Sequence, residues 1–135
     1  MTALTTTRIG TTEDRLRTVL RADAAVTGAV GLFALLGPAS TYGDVPGWLP
    51  RTLGVVFLAL AVDFVLAARL SGSKLRLAGL VTGELALGWV VATIAILALV
   101  DLPGSGREVL AVVGLATLGF AIAELRLVRS LSAAV

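Results

Sequence analysis

The sequence predicts an all-α protein: a four-helix transmembrane bundle with both termini cytoplasmic. Three observations carry that prediction: an apolar composition, four helix-length apolar blocks, and an uneven distribution of basic residues. Of 135 residues, 57% are hydrophobic and 15% are charged, and the mean hydropathy is +0.97. A soluble domain carries about 25% charged residues, so this composition is poorly matched to water. The chain contains neither His nor Cys. That removes imidazole acid–base chemistry, thiolates, disulfides and Cys/His metal sites.

The blocks come in order. Residues 24–43 form the first uncharged run, which Pro38 interrupts, so its helix is predicted to stop near Gly37. The second, 52–68, holds one acid, Asp63; the third, 77–100, holds only Glu84. The fourth, 109–123, continues past Glu124. A helix needs ~20 mostly apolar residues to cross ~30 Å of hydrocarbon. The predicted spans are 22–37, 52–70, 77–101 and 108–126, within a membrane domain of 22–128. Gly37-Pro38-Ala39-Ser40, Ser71-Gly72-Ser73 and Pro103-Gly104-Ser105-Gly106 separate them as helix breakers. Backbone amides in lipid must be bonded within their own segment, which favours helices. The blocks lack the alternating polarity of a β-barrel. Residues 1–21 read as a cytoplasmic N-terminal segment, loose over 1–12. Over 13–21 it is either an amphipathic turn on the membrane surface or a solvated lead-in. Residues 129–135 read as a cytoplasmic tail. A cleaved signal peptide is the alternative for the first span, with Pro38-Ala39-Ser40 at its end, but the charged lead-in is long for one.

Orientation follows from the basic residues. Arg8, Arg15, Arg17, Arg21, Arg69, Lys74, Arg76, Arg126 and Arg129 fall on one side of a four-span threading. Only Arg51 and Arg107 fall on the other. The positive-inside rule then predicts an N-in, C-in protein of the inner membrane. The scatter of these residues at block ends, with no single basic patch, predicts no nucleic-acid partner. Tyr42 and Trp48 lie in the opposite connector, where an interfacial aromatic position and simple loop packing are both open.

The acids inside the blocks are Asp23, Asp63, Glu84 and Glu124. Counted from the nearest basic residue at ~1.5 Å per residue, Asp63 is ~9 Å deep and Glu84 ~12 Å, while Asp23 and Glu124 lie only ~3 Å inside. A carboxylate in hydrocarbon costs ~2.5–3.5 kcal/mol on insertion scales. Asp63 and Glu84, on helices joined by a short connector, are expected to be antiparallel neighbours forming a proton or polar site. The shallow acids, Asp23 and Glu124, are expected to form a clasp with Arg21, Arg69, Arg76 or Arg126. For the deeper pair, hydrogen bonding to Thr27, Thr82 or each other is the structural alternative. Asp23 to Asp63 and Glu84 to Glu124 are both 40 residues apart. This spacing suggests either two duplicated hairpins or coincidence in an Ala/Leu/Val-rich background.

Gly79 and Gly83 form a G-x-x-x-G pair extended by Ala86, and Ala24, Gly28 and Gly31 give the first helix a similar small-residue face. Such faces allow close backbone approach between helices in lipid. Trp89, near mid-membrane, reads as core filler or as a wall beside Glu84. No P-loop, G-x-S-x-G or dinucleotide fingerprint occurs in a strand–helix context. Ser residues lack a His partner, and the acids have no metal-ligand spacing. No cofactor is expected.

With Arg21-Ala-Asp23-Ala-Ala-Val-Thr-Gly28 opening the first span and acids near the ends of later spans, the chain resembles small four-helix bacterial integral membrane proteins. That resemblance implies fold and location and carries no activity. In size and helix number it is also similar to the small multidrug resistance transporters. Those carry an essential acid within the first helix, whereas Asp23 stands at the entry beside Arg21. Two functions follow as expectations. One is a non-enzymatic accessory or structural membrane component, embedded in the lipid bilayer and packed against a larger membrane-protein partner or a second copy. The other is a small proton-coupled transporter using Asp63 and Glu84.

Overall fold

A computed structural model of the chain describes residues 3–134. It is a four-helix bundle: α1 (Ala3–Leu36), a short 3-10 turn (Ala39–Thr41), α2 (Trp48–Ala67), α3 (Gly72–Leu99) and α4 (Gly104–Ala134). Each helix contains a stretch long and apolar enough to cross a membrane. The architecture is that of a multi-pass membrane protein.

The packing order differs from the chain order. α1 lies along α2, and α3 along α4; α1 and α4 form the seam between these hairpins, while α2 and α3 touch little. The inner helices α1 and α4 therefore have neighbours on two sides, and α2 and α3 form the flanks. Across the gap, Phe57 of α2 meets Trp89 of α3 edge to face, with ring centroids 4.8 Å apart.

From Ala3 onward the N-terminal segment is helical and not loose, residues 1 and 2 of the expected loose stretch lying outside the described residues. α1 begins at Ala3 and runs unbroken into the first apolar block, and α4 continues through the expected tail to Ala134. Apolar residues at helical spacing explain this. Leu16 and Leu20 of α1 are fully buried against Leu75 of α3, Ala68, and Val128 and Leu131 of α4, with Ile9 beside them. The threonines that suggested a loose lead-in turn their hydroxyls back onto the helix: Thr11, Thr12 and Thr18 donate to the carbonyls of Thr7, Arg8 and Asp14. Such back-bonding satisfies a polar side chain without leaving the helix.

A polar clasp ties this extension to the α2–α3 connector. Arg17 donates from Nε and Nη2 to the Leu70 carbonyl at 3.2 and 3.1 Å. It also pairs with Glu13 at 3.2 Å and Asp14 at 2.8 Å. Glu13 in turn accepts the Gly72 N–H at 3.0 Å. Gly72 has φ +60°, a left-handed conformation that suits glycine, and it presents that N–H as α3 begins. At the opposite end the two outer connectors interlock. Gly43, with φ +59°, lies against Pro103, so a side chain there would face both an unfavourable φ and a collision. Gly106 sits directly on the Thr41 carbonyl. Tyr42 is half-buried in this cap, and burial raises its phenol above the ordinary value; Trp48 is exposed.

Helix contacts are made through small residues. A Cβ on Gly31 would meet the Gly54 carbonyl at 2.9 Å, and one on Gly54 would meet the Gly31 carbonyl at 2.7 Å, which marks the α1–α2 crossing. On the α3–α4 seam, Gly79 faces Val128 and also Leu16 of α1, and Gly83 faces Leu125. Gly28 leaves ordinary contact distance to Ala61.

Candidate functional site

The four acids separate by helix. Asp63 and Glu84 are exposed, on the flanking helices α2 and α3. Because α2 packs on α1 and α3 on α4, these two are not the closely packed neighbours expected from their short connector. Asp23 and Glu124, on the inner helices, are buried, with 6% and 0% of their surface exposed. Of the expected partners of the shallow acids, Arg21, Arg69 and Arg126 are exposed and Arg76 is half-buried. Among the described residues the ion pairs are those of Arg17 with Glu13 and Asp14. The 40-residue spacing matches Asp23 with Glu84 and Asp63 with Glu124, and burial cuts across both matches.

Instead of a cation, Glu124 faces Asp23. The two carboxyls are close neighbours across the α1–α4 seam. No donor reaches either Glu124 oxygen. Asp23 has one donor, the Thr27 hydroxyl, at 3.0 Å to Oδ1. The pair sits here because small residues let three helices converge. Ala24 and Ala121, close to the two acids in sequence, are both buried. Gly83 brings α3 close enough that its Cβ position lies 3.7 Å from the Ala121 carbonyl.

Asp23 also lines a cavity of about 60 Å³ between the hairpins, with Thr27, Thr82, Thr117, Phe64 and Trp89 among the other lining residues. Thr82 is 4% exposed. The Trp89 indole N–H is buried without a partner. Beyond the Phe57–Trp89 contact lies a second cavity of about 170 Å³ reaching the outer connectors. It is lined mainly by aliphatic and aromatic side chains, Phe33, Leu53 and Val109 among them, with Thr41 and Tyr42 at its connector end. Val30, Phe57, Trp89 and Val113 line both cavities and so divide them.

Among the described residues no group of three or more acids is placed to hold a metal ion. The chemistry available in the interior is that of two facing carboxyls, threonine hydroxyls and one indole N–H beside a small, mainly apolar cavity. Outside, Asp63 and Glu84 are single carboxylates on helix faces. Counting depth from the nearest Arg misses this division because α1 and α4 continue well past Arg21 and Arg126. The signals that point to the buried pair are Thr27 one turn from Asp23 and the small residues Ala121 and Ala123 before Glu124. No protein-family model, curated protein or solved structure matches the chain.

Proposed function

We propose that this chain is a non-enzymatic subunit of the bacterial inner membrane that packs against a different membrane-embedded polypeptide, with both its termini in the cytoplasm. The observation that carries this reading is the exposure of Asp63 and Glu84 on the flanking helices, inside stretches of membrane-crossing length. A carboxylate facing hydrocarbon costs ~2.5–3.5 kcal/mol, and a donor on a neighbouring helix removes that cost. The surface around Glu84 suits such a neighbour. Leu77, Val81, Glu84, Gly88 and Val91 form one exposed stripe along α3, and open space surrounds the Cβ position of Gly88. A polar residue with a small residue one turn away is the chemistry by which helices associate in lipid. The partner is a helix that places a hydrogen-bond donor or a cation at the depth of Glu84.

A different polypeptide fits better than a second copy, because the chain's basic residues cluster at its helix ends and connectors. Nine of eleven basic residues at the end bearing both termini support the N-in, C-in orientation. The carrier reading through Asp63 and Glu84 has less support, since neither residue lines the cavities between the hairpins. The test is site-specific photo-crosslinking in native membranes from Val91 on the stripe, with Val109, which lines the interior, as control. The expected result is one polypeptide adduct from Val91, lost with Glu84→Leu and retained with Glu84→Gln. Adducts to lipid alone, or to a second copy alone, would overturn the proposal.

A further inference from the structure

The buried acids on the α1–α4 seam carry an inference independent of the partner reading. We propose that Asp23 and Glu124 form a proton-binding site that holds a single proton in common and exchanges it with the small cavity beneath Trp89.

The Glu124 carboxyl is wholly buried, neither of its oxygens has a donor, and the group it meets is another acceptor, the Asp23 carboxyl. Two ionised carboxylates in that position would repel at close range in a poorly polarisable interior, where charge interactions are much stronger than in water. With one proton between them the same contact becomes an O–H···O⁻ hydrogen bond, among the stronger kinds. The neutral carboxyl then donates and the ionised one accepts, and the Thr27 hydroxyl supplies a second donor to Asp23.

Among the described residues no cation pairs with either acid: the ion pairs are those of Arg17, and Arg76, half-buried on α3, makes none. On α1, Arg21 is exposed, and Arg17 is committed to Glu13, Asp14 and the Leu70 carbonyl. On α4, Arg126 and Arg129 are exposed. α3 presents Gly79, Thr82 and Gly83 on its buried face, while Glu84 is exposed; on α2, Asp63 is exposed. Two carboxyls from two helices fall short of the several oxygen ligands that a hard cation requires.

The cavity gives the pair room for water beside Asp23. Asp23 is the acid that opens onto it, and its volume of about 60 Å³ exceeds the ~10–15 Å³ that one water needs. Polar partners for water are also present there. Thr82 is nine-tenths buried and lines the cavity. Among the described residues no hydrogen bond uses its hydroxyl, and the buried Trp89 N–H on the same wall is likewise free to donate. Water in the cavity reaches Asp23 directly and Glu124 through it. Loading is a plain proton transfer: a hydronium ion gives up its proton to the carboxylate pair and leaves water. Release is the reverse.

Infrared spectroscopy of the full chain in lipid nanodiscs tests this through the C=O stretch of protonated carboxyl groups. At neutral pH the wild type is expected to show a band equal to one carboxyl per chain, unchanged when sodium is exchanged for potassium. Asp23→Asn and Glu124→Gln are each expected to lose the whole band, because the amide donates to the remaining ionised carboxylate. Helical circular dichroism and a monodisperse elution profile check their fold. Asp63→Asn/Glu84→Gln, which alters only exposed positions, is expected to keep the band in full. This double variant assigns the band to the seam even if both seam variants fail to fold. A wild type without the band, a band lost in Asp63→Asn/Glu84→Gln, or a band that appears only when sodium is removed would each overturn the proposal.

Discussion

At the end carrying both termini, Leu16, Leu20, Leu75, Val128 and Leu131 form one buried cluster, and Arg17 and Glu13 bind the connector over them. Toward the other end the two hairpins enclose a cavity of about 170 Å³, and one aromatic contact bridges α2 and α3 beside it. The difference follows from which solvent each region excludes. Charged residues crowd the first region, where α1 and α4 run past the apolar blocks. Burying leucine away from water there contributes ~25 cal/mol per Å². In the apolar region lipid tails are as apolar as the side chains, so only close packing and polar contacts hold helices together. A gap there forfeits packing contacts but no transfer of apolar surface out of water.

Leucine truncation puts the largest expected effect on this contrast. Leu20→Ala removes a fully buried side chain from the dense cluster, and large-to-small changes of that kind cost about 2–5 kcal/mol. Leu53→Ala enlarges a cavity already present and is expected to cost less than about 1 kcal/mol, since little packing is lost. Steric-trapping measurements of unfolding in bicelles would give both numbers. Equal losses would mean that the two regions are packed alike.

Glycine substitutions sharpen the same contrast along one helix. A Cβ at Gly83 would come within 2.8 Å of Leu125, so Gly83→Leu overpacks the α3–α4 seam, at a typical cost of about 1–3 kcal/mol. Gly88, five residues further on, has open space around it, and Gly88→Leu is expected to leave the isolated protein's stability within about 0.5 kcal/mol. If Gly88 is where a partner helix docks, the same substitution reduces the crosslink from Val91 in native membranes.

Next in size is the clasp. Arg17→Ala removes two hydrogen bonds to the Leu70 carbonyl and leaves Glu13 without its cation. Hydrogen bonds to charged groups contribute ~1.5–3 kcal/mol and exposed ion pairs ~0–1. With Arg17 only partly buried, a loss of about 1–2 kcal/mol is expected. Hydrogen exchange would locate it at residues 68–72. Exchange that rises uniformly along α1 would mean that the clasp stabilises the helix and not the connector.

How much of this could be read from the sequence depended on the scale of the question. Helix number and breakpoints were legible because Pro38, Ser71-Gly72-Ser73 and Pro103 punctuate apolar runs that no other fold accommodates in lipid. Gly79 and Gly83 stood out by their spacing alone. Helix neighbours were not legible. A short α2–α3 connector allows those helices to pack closely, but the small-residue crossing at Gly31 and Gly54 draws α2 onto α1 instead. Once α1 and α4 are the inner pair, Asp23 and Glu124 are buried and Asp63 and Glu84 face outward, the reverse of their ranking by depth. The stripe of Ile9, Leu16 and Leu20 is interrupted by threonines and charges, and only an amphipathic turn over 13–21 was legible as an alternative. Only the tertiary partners Leu75, Val128 and Leu131 show that it belongs to the bundle.

The smallest expected effect concerns the cap of the larger cavity. Burial raises the Tyr42 phenol above its ordinary value, so the folded chain holds that proton more tightly than the unfolded chain. A group with a raised folded pKa contributes stability in full below its unfolded pKa, about 10 for tyrosine, and loses it as pH climbs toward the folded value. The melting temperature in detergent is therefore expected to fall above about pH 10 by slightly more in the wild type than in Tyr42→Phe, with the two curves parallel at neutral pH. Tyr42 is only partly buried, which keeps the difference small. An identical alkaline limb in both proteins would show that the phenol is solvated and that the cap over the apolar cavity is open. The looseness of that region would then extend from its interior to its surface.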